Sequence, residues 1–487
     1  MVNKRDPIAA GEPLDLELAG LVELLAAREL SSVELLDSSL ERIQASQDTL
    51  NAFRFVRPEE ARAEAVEAQR RLDAGERLPL LGVPIAIKDD VDLAGLPTCY
   101  GCAGDFEPKR ADSAVAAKLK AAGAVIVGKT NTPEIGICPI TEGPAFGATR
   151  NPWSLEHTPG GSSGGASAAV AARLVPGAVG SDGAGSVRIP AAWTNLVGIK
   201  PQRGRISTMP EPDAFNGLTS IGPLARTVAD AALLLDVLSG SFESDLHRPP
   251  PPPEPFADSA QRSPGRLRIA LSLNIPFSGA PARLNPEIRA AITRMASQLE
   301  ELGHTVEEFN VPYRLWPAAS IMPRCMTAIR EWTERMPDPS LLQSYVRESA
   351  RMGRLLKPLL PIAHFAEAGG RRKVGRTFHR FDVVLTPTTA QPPLPIGAFD
   401  GLSNWEIDKA MVAACPYAWP WNVLGWPGVN VPAGFTAAGL PIGVQLLGPG
   451  NSESRLLSLA SQLEAQQPWH EHRPDSNEPG QTGSVAK

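Results

Sequence analysis

The sequence has few cysteines, no long apolar runs and no large excess of charge of one sign. Its 487 residues include 5 cysteines, too few for the disulfide framework that stabilises small secreted domains. The longest apolar runs, such as 231–235, are far shorter than the roughly 20 residues that a membrane-spanning helix needs. These shortages exclude a disulfide scaffold and a membrane-spanning protein, and we expect no membrane partner.

The charge balance also limits the choice of partner. The chain carries 47 Lys and Arg against 53 Asp and Glu, a net charge of −6. Nucleic-acid binding needs clustered basic residues, so we expect no nucleic-acid partner. The segment 1–11 is polar and lacks an apolar stretch of the signal-peptide type. We therefore expect a cytoplasmic protein.

Two short motifs have the residue types of redox or metal sites. Cys99 and Cys102 form a C-x-x-C motif, but no second cysteine pair lies near it, and we interpret both as ordinary thiols. The motif at 470–472, His-Glu-His, lies in a polar, proline-containing tail, and we interpret it as an exposed turn. We expect neither a metal nor an organic cofactor.

Helix-type and strand-type patterns alternate along the chain, which indicates an α/β fold with helices covering a sheet. Ser31 precedes Glu34 by three residues, a capping box that predicts a helix start. Further helices are predicted from Pro58 to about residue 75 and over 113–122, 287–302 and 452–466. Strands are predicted over 83–87, 124–127, 267–271, 305–309, 382–385 and 442–447.

The patterns predict one large domain over 14–473, between mobile tails at 1–13 and 474–487. Within it we expect a core at about 80–240, a variable substrate-side insertion at about 241–380 that is mostly helical in pattern over 312–380, and a returning core at 381–473. Five consecutive prolines at 249–253 predict a stiff surface connector, because proline continues neither a helix nor a strand.

Two turns rich in small residues contain most of the chemical information. The loop 160–165 opens a run of small residues, but it lacks the Lys-Ser/Thr of a P-loop, so phosphate binding is disfavoured. The second turn, 180–190, brings four backbone N–H groups into one row. Such a row can stabilise an oxyanion; its members are Gly183, Ala184, Gly185 and Ser186.

Ser186 stands at the end of this row, where it could attack a carbonyl carbon. A serine is a weak nucleophile without a base, and His157 is the one histidine in the region. Lys88 follows an apolar stretch at a predicted strand end. Because burial lowers the pKa of a lysine, Lys88 is a suitable base.

Several motifs, in fixed order, resemble the amidase signature family. They span nearly the whole chain except for 240–380. The motifs lie at 82–89, 128–134, 160–165, 180–190, 198–201, 222–227, 382–388, 431–434 and 439–445.

The resemblance implies a single α/β/α domain with a mixed, mostly parallel central sheet covered by helices. It also implies a Ser-cisSer-Lys triad in which Ser186 is the nucleophile, Ser162 is a bridging serine after a cis peptide bond, and Lys88 is the base. An acyl-enzyme would form on Ser186, without metal or cofactor.

Three more residues would support this site. Ser163 is expected to stabilise its loop by hydrogen bonds, and the resemblance implies that Asp182 and Arg188 order the nucleophile loop. The family usually has Gly-Gly before the nucleophile, whereas this chain has Ala184-Gly185. If Ala184 needs a positive φ, its methyl group narrows the space for bulky acyl groups.

We expect the substrate pocket to involve Ile135, Gly136, Ile137, Trp193 and Trp421. Since no charge cluster stands out in the variable segments, the expected substrate is a small neutral amide, apolar or aryl. A carbamate (urethane) hydrolase with the same triad is one alternative, and esters are a further possibility. A second alternative is the glutamine-hydrolysing subunit of a tRNA-dependent amidotransferase, which acts only in a complex. Otherwise we expect a monomer or homodimer.

Overall fold

The computed structural model describes residues 12–276, 281–313 and 315–474. The predicted mobile tails therefore lie almost entirely outside the described residues. Helices and strands alternate through the described chain, as the sequence patterns predict.

The helices cover both sides of a sheet and are numbered in chain order. They are α1 (Leu18–Ala27), α2 (Ser32–Leu50), α3 (Pro58–Asp73), α4 (Ala114–Ala121), α5 (Gly164–Ala171), α6 (Arg188–Trp193), α7 (Val228–Leu238), α8 (Phe256–Ala260), α9 (Pro286–Glu301), α10 (Trp316–Thr333), α11 (Ser344–Leu356), α12 (Leu360–Gly375), α13 (Asn404–Ala414), α14 (Trp419–Leu424) and α15 (Glu453–Gln466).

The strands, numbered in the same way, are short and mostly buried. They are β1 (Phe53–Val56), β2 (Pro84–Lys88), β3 (Val125–Thr130), β4 (Glu142–Gly143), β5 (Gly147–Ala148), β6 (Gly177–Asp182), β7 (Val197–Lys200), β8 (Ser220–Ala225), β9 (Arg268–Leu271), β10 (Thr305–Glu308), β11 (Val383–Pro387), β12 (Gly428–Phe435) and β13 (Pro441–Leu447).

Eleven strands of the described chain form one mixed sheet in the order β1-β3-β2-β6-β8-β7-β12-β13-β11-β9-β10, and β4 and β5 pair separately. This confirms the predicted α/β fold with a large mixed sheet. Parallel pairs form two groups, β3-β2-β6 and β11-β9-β10. Antiparallel pairs join these groups and attach β1. The sheet therefore contains a larger share of antiparallel strand pairs than the alternation of helix and strand patterns in the sequence indicates.

Local sequence explains where several elements begin and end. Ser31 Oγ accepts from the Glu34 N–H at 3.0 Å and Glu34 Oε2 accepts from the Ser31 N–H at 3.1 Å, which confirms the predicted capping box of α2. Every strand and helix predicted from the sequence patterns is present, with ends that differ by at most a few residues. The proline run 249–253 belongs to no helix or strand and lies at the surface.

The helical stretch predicted beyond residue 312 is present as α10, α11 and α12, and α10 packs against both of its neighbours. No helix in the described ranges is long and apolar enough to cross a membrane.

The strand order places candidate site residues at one edge of the sheet. Because β2 and β6 are parallel neighbours, their carboxyl ends meet at the same edge. Lys88 ends β2, and Ser181 and Asp182 end β6. The two motifs that sequence analysis singled out are therefore adjacent in space.

Candidate active site

Lys88 lies in the interior, with 1% of its surface exposed. Its Nζ is 2.8 Å from Ser162 Oγ and 2.7 Å from Ser181 Oγ. It also lies 3.2 Å from Asp90 Oδ2. The structure therefore brings the predicted pair Lys88 and Ser162 into direct contact and adds two partners that sequence analysis did not identify.

Burial lowers the pKa of Lys88 from its ordinary value of 10.5, while the carboxylates of Asp90, Asp182 and Asp89 act in the opposite direction. Burial acts in this direction because removing an ammonium group from water disfavours its charged form. Its effect on the pKa is larger than that of the carboxylates. The neutral amine, which can accept a proton, is therefore populated at a lower pH than in an exposed lysine.

Ser162 follows a cis peptide bond after Gly161, in agreement with the resemblance. Its neighbour Ser163 connects three segments of the site. The Ser163 N–H donates to the Ser186 carbonyl at 3.1 Å, and the Ser163 hydroxyl donates to the Ser181 carbonyl at 3.2 Å. Ser163 thus stabilises the loop by hydrogen bonds.

Ser186 precedes α6 and is 9% exposed. It lines the same pocket as Lys88 and Ser162. The hydrogen bonds of the described residues include the Lys88–Ser162 contact but none between the hydroxyls of Ser162 and Ser186. The structure therefore places Ser186 beside the Lys88–Ser162 pair without closing a continuous hydrogen-bonded chain.

Asp182 and Arg188 form a fully buried ion pair. Arg188 Nε donates to Asp182 Oδ2 at 3.0 Å and Nη2 donates to Oδ1 at 3.0 Å. Two of the remaining guanidinium hydrogens are donated to Gln445 Oε1 and Asn422 Oδ1. Although burial acts to raise the pKa of Asp182, the charge and hydrogen bonds of Arg188 hold it well below its usual range.

The Asp182 carboxylate also binds one of the four N–H groups that we predicted for the oxyanion site. The Gly185 N–H donates to Asp182 Oδ1 at 2.7 Å, so this N–H is already used within the loop. Backbone hydrogen bonds of the described chain include none donated by Gly183, Ala184 or Ser186. Three of the four predicted N–H groups therefore remain candidates for binding an oxyanion.

The backbone conformation of the loop shows whether Ala184 needs a positive φ. Positive φ occurs at Gly185 (120°) but not at Ala184, so the alanine introduces no backbone strain. A Cβ at Gly185 would lie 2.6 Å from the Ala418 Cβ, which explains why glycine is needed there. The Ala184 methyl group instead lies at the wall of a pocket.

Two cavities meet at Ser186. The first, of about 100 Å³, contains Lys88 and Ser162, and we call it the polar compartment. The second, of about 210 Å³, is the apolar compartment. Both are lined by Gly136, Gly183, Ser186 and Phe215.

The two compartments differ in chemistry. The polar compartment contains charged and aromatic residues, among them Asp90, Asp92, Tyr100, Glu211 and Trp332, beside aliphatic ones such as Val91, Val115 and Ile221. The apolar compartment is lined by aliphatic, sulfur-containing and aromatic side chains, among them Ile137, Ile189, Leu218, Ala318, Ile321, Met322, Cys325, Met326, Met411 and Trp419.

Three of the five predicted pocket residues line these cavities and two do not. Ile135 and Gly136 line the polar compartment, and Gly136 and Ile137 line the apolar one. Trp193 and Trp421 are fully buried in the core. Their indole N–H groups are already bonded, Trp193 to the Gln391 carbonyl and Trp421 to the Gly448 carbonyl. The prediction that these tryptophans form pocket walls is therefore wrong.

Sequence analysis missed several residues of the site. Asp90 and Ser181 contact Lys88, and each lies within two residues of a predicted site residue, which is a usable signal. Trp332 and Phe215 line the polar compartment. Trp332 is distant in sequence from the motifs, and Phe215 lies between the motifs at 198–201 and 222–227 but belongs to neither, so no local pattern marks these two residues.

The C-x-x-C motif at 99–102 and the His-Glu-His motif at 470–472 have the residue types of redox or metal sites, and the structure shows what surrounds them. Cys99 and Cys102 are buried free thiols, and burial raises the pKa of Cys99 to about 11. His470 Nε2 lies 3.2 Å from Glu17 Oε1. Within the described residues, no group of three His, Cys, Asp or Glu side chains is arranged to hold a metal ion.

Comparison with known proteins identifies the family. The family model described as "Amidase" matches residues 34–457. The chain therefore belongs to the amidase family and is a hydrolase that acts on carbon–nitrogen bonds. The resemblance drawn from the sequence motifs is confirmed.

Relatives match almost the whole chain. "Putative amidase AmiA2" of Mycobacterium tuberculosis (strain ATCC 25618 / H37Rv) is 56% identical over 458 residues, which cover 94% of each chain. A glutamyl-tRNA(Gln) amidotransferase subunit of Roseiflexus sp. (strain RS-1) is 35% identical, covering 94% of this chain and 98% of its own.

Solved structures show the same fold. A 6-aminohexanoate cyclic dimer hydrolase in complex with its substrate superposes with a TM-score of 0.87 at 32% identity, covering 95% of this chain and 99% of that one. A bacterial aryl acylamidase of the amidase signature family gives a TM-score of 0.85 at 27% identity, covering 94% and 99%.

Proposed function

We propose that this protein hydrolyses small neutral amides with apolar or aryl groups through an acyl-enzyme on Ser186. The observation that carries the proposal is the buried contact of 2.8 Å between Lys88 Nζ and Ser162 Oγ, in a pocket that Ser186 also lines. The downward shift in the pKa of Lys88 supports its role as a base, because only the neutral amine can accept a proton.

The reaction begins with two proton transfers. Neutral Lys88 takes the proton of Ser162, Ser162 takes that of Ser186, and the Ser186 oxygen attacks the amide carbon. The N–H groups of Gly183, Ala184 and Ser186 stabilise the negative charge that develops on the carbonyl oxygen. To close the relay, the Ser186 hydroxyl must come within hydrogen-bond distance of Ser162 Oγ.

The attack produces a tetrahedral intermediate, and its collapse breaks the carbon–nitrogen bond of the substrate. Ser162 gives its proton to the leaving nitrogen and regains one from Lys88, and the acyl group remains on Ser186. A water molecule then repeats the same steps in place of Ser186 and releases the acid. The chain's own groups supply every proton transfer in this scheme.

The two compartments suggest how the substrate lies. Ser162 protonates the leaving nitrogen and lines the polar compartment, so we place the leaving amine there. The acyl group then extends into the apolar compartment, whose aliphatic and sulfur-containing walls favour apolar and aryl acyl groups. The likeness to an aryl acylamidase is consistent with this choice.

Carbamates fit the same machinery. Attack by Ser186 with loss of an amine would leave a carbonate ester, which water would convert to an alcohol and carbon dioxide. Glutamine hydrolysis for a partner protein is the other alternative, because an amidotransferase component is among the relatives. Its small polar acyl group makes poor use of the apolar compartment.

A substrate panel tests the proposal. Purified protein is assayed on aryl acylamides, primary amides, esters, aryl carbamates and glutamine. We expect the highest kcat/KM on an apolar or aryl amide, and a fall in kcat of at least about 10³-fold for Ser186→Ala and Lys88→Ala. Faster turnover of carbamates, or of glutamine only with partner proteins present, would favour the corresponding alternative.

A covalent probe identifies the nucleophile directly. A fluorophosphonate should add one label to the wild type, at Ser186, and none to Ser186→Ala. Ser39→Ala provides a matched control, because Ser39 is buried in α2 and lies outside both compartments; it should label like the wild type. Labelling of Ser186→Ala at the wild-type rate would contradict the assignment.

A further inference from the structure

Two residues beyond the proposed triad surround the amine of Lys88. Ser181 Oγ lies 2.7 Å from Nζ and Asp90 Oδ2 lies 3.2 Å from it. The Ser181 hydroxyl also forms a hydrogen bond with Asp90 Oδ2. Lys88, Ser181 and Asp90 therefore form a closed cluster of three mutual contacts, with Ser162 as the fourth group.

The hydrogens of this cluster can be assigned from donor and acceptor capacity. An ionised carboxylate only accepts hydrogen bonds, so the Ser181 proton points to Asp90. Ser181 Oγ is then left to accept one N–H of Lys88, and Asp90 Oδ2 accepts another. A neutral amine has two N–H groups and one lone pair, so its lone pair faces the remaining contact, the Ser162 hydroxyl.

We propose that Asp90 and Ser181 are positioning residues that hold the neutral amine of Lys88 with its lone pair directed at the Ser162 hydroxyl. This inference rests on the proposed function. In the transfer, the Ser162 O–H bond breaks and an N–H bond forms at Lys88. The resulting ammonium has three N–H donors and three acceptors, on Ser162, Ser181 and Asp90.

Other charges near Lys88 are paired with cations of their own. Asp89 lies 3.0 Å from Lys129 on β3, and Asp182 at the end of β6 lies 3.0 Å from Arg188. Asp90 contacts Lys88 itself, and after burial it has the largest influence on the pKa of Lys88, which it raises. Asp90 is therefore the carboxylate whose removal changes the amine most.

The test uses the pH dependence of kcat/KM. Asp90→Asn keeps the shape of the side chain but removes its charge, so Lys88 loses its proton at lower pH. The midpoint of the limb that rises towards alkaline pH should move to lower pH. We also expect kcat to fall by about tenfold or more, because the amide N–H groups of Asn compete for the lone pair of the amine.

Ser181→Ala separates orientation from charge. This variant removes a neutral acceptor, so kcat should fall while the midpoint stays close to that of the wild type. Asp92→Asn is the matched control for the midpoint, because Asp92 lines the same compartment but pairs with Lys109 at 3.3 Å. Its midpoint should also stay in place.

The outcomes distinguish the two levels of the proposal. A wild type without a rising limb, or a limb that persists in Lys88→Ala, would contradict the proposed function itself. A limb that depends on Lys88 but does not move in Asp90→Asn, with kcat unchanged in both variants or with changes confined to KM, would overturn the positioning role alone. Should Asp90→Asn fail to fold, the kcat of Ser181→Ala decides.

Discussion

At the scale of single residues, the buried pair Asp182–Arg188 is the clearest target. Both side chains are fully buried, so removal of one charge leaves the other without compensation. We expect Asp182→Asn to lower the free energy of unfolding by about 3–5 kcal/mol, measured by urea denaturation. Activity should fall as well, because Asp182 accepts from the backbone of the loop that carries Ser186, the proposed nucleophile.

The control for this prediction is an exposed pair. Arg62 and Asp37 form an ion pair with 54% and 34% of their side chains exposed. Asp37→Asn should change the free energy of unfolding by about 1 kcal/mol or less, since water screens such pairs. A loss in Asp182→Asn no greater than that in Asp37→Asn would contradict a stabilising role for the buried pair.

The pH dependence of this stabilisation has a definite sign. The pKa of Asp182 is lower in the folded protein than its ordinary value of 3.8. A carboxyl with a lowered pKa stabilises the folded state above its unfolded pKa and loses this contribution as the pH falls through the folded value. The difference between wild type and Asp182→Asn should therefore be constant above about pH 5 and shrink progressively as the pH falls below that value.

At the scale of elements, the features that depend on neighbouring residues could be predicted from the sequence better than the contacts between residues distant in sequence. The capping box at Ser31 and the strand that ends at Lys88 depend on neighbouring residues, and both are present. The contact of Lys88 with Ser162 was predicted because the motifs resemble a family. Trp193 and Trp421 were misplaced, since an aromatic residue type does not reveal whether its side chain faces the core or a pocket.

The contribution of α10 to the site illustrates this limit. Ala318 and Met322 of α10 line the apolar compartment, yet this helix lies between residues 240 and 380, far in sequence from every motif. Which of its faces meets the pocket depends on packing against α11 and α12. The local sequence establishes the helix but not its partner, so the pocket wall could not be derived from it.

The position of α10 yields a prediction about substrate size. Ala318→Phe should fill part of the apolar compartment and lower kcat/KM for long or aryl acyl groups by about tenfold or more, with little effect on acetyl amides of the same amine. Ala319→Phe is the matched control, because Ala319 is exposed on the same helix. Equal losses for short and long acyl groups would contradict the assignment of the acyl group to this compartment.

At the scale of the whole molecule, the helical stretch α10–α12 and the segment that follows β3 are joined beside the pocket. Glu134 Oε2 accepts from the Gln343 N–H, just before α11, at 2.8 Å. The turn that begins at Glu134 carries Ile135 and Gly136, which line the pocket. A buried carboxyl therefore lies where the two parts of the chain meet.

Burial raises the pKa of Glu134 from 4.5 to about 7. A carboxyl with a raised pKa favours the folded state most below its unfolded pKa, and this advantage is lost as the pH rises through the folded value. The wild type should therefore lose stability between about pH 4.5 and 7 through this group. Glu134→Gln is neutral throughout and keeps an acceptor for the Gln343 N–H.

We expect the stability of Glu134→Gln relative to the wild type to increase by about 2 kcal/mol between pH 5 and pH 8. Urea denaturation at a series of pH values measures it, and subtracting one protein from the other removes the groups that titrate equally in both. Glu60→Gln, an exposed change on α3, should give a curve parallel to the wild type. Parallel curves for Glu134→Gln would mean that Glu134 stays ionised in the folded protein, and that its contact with the start of α11 tolerates a buried charge.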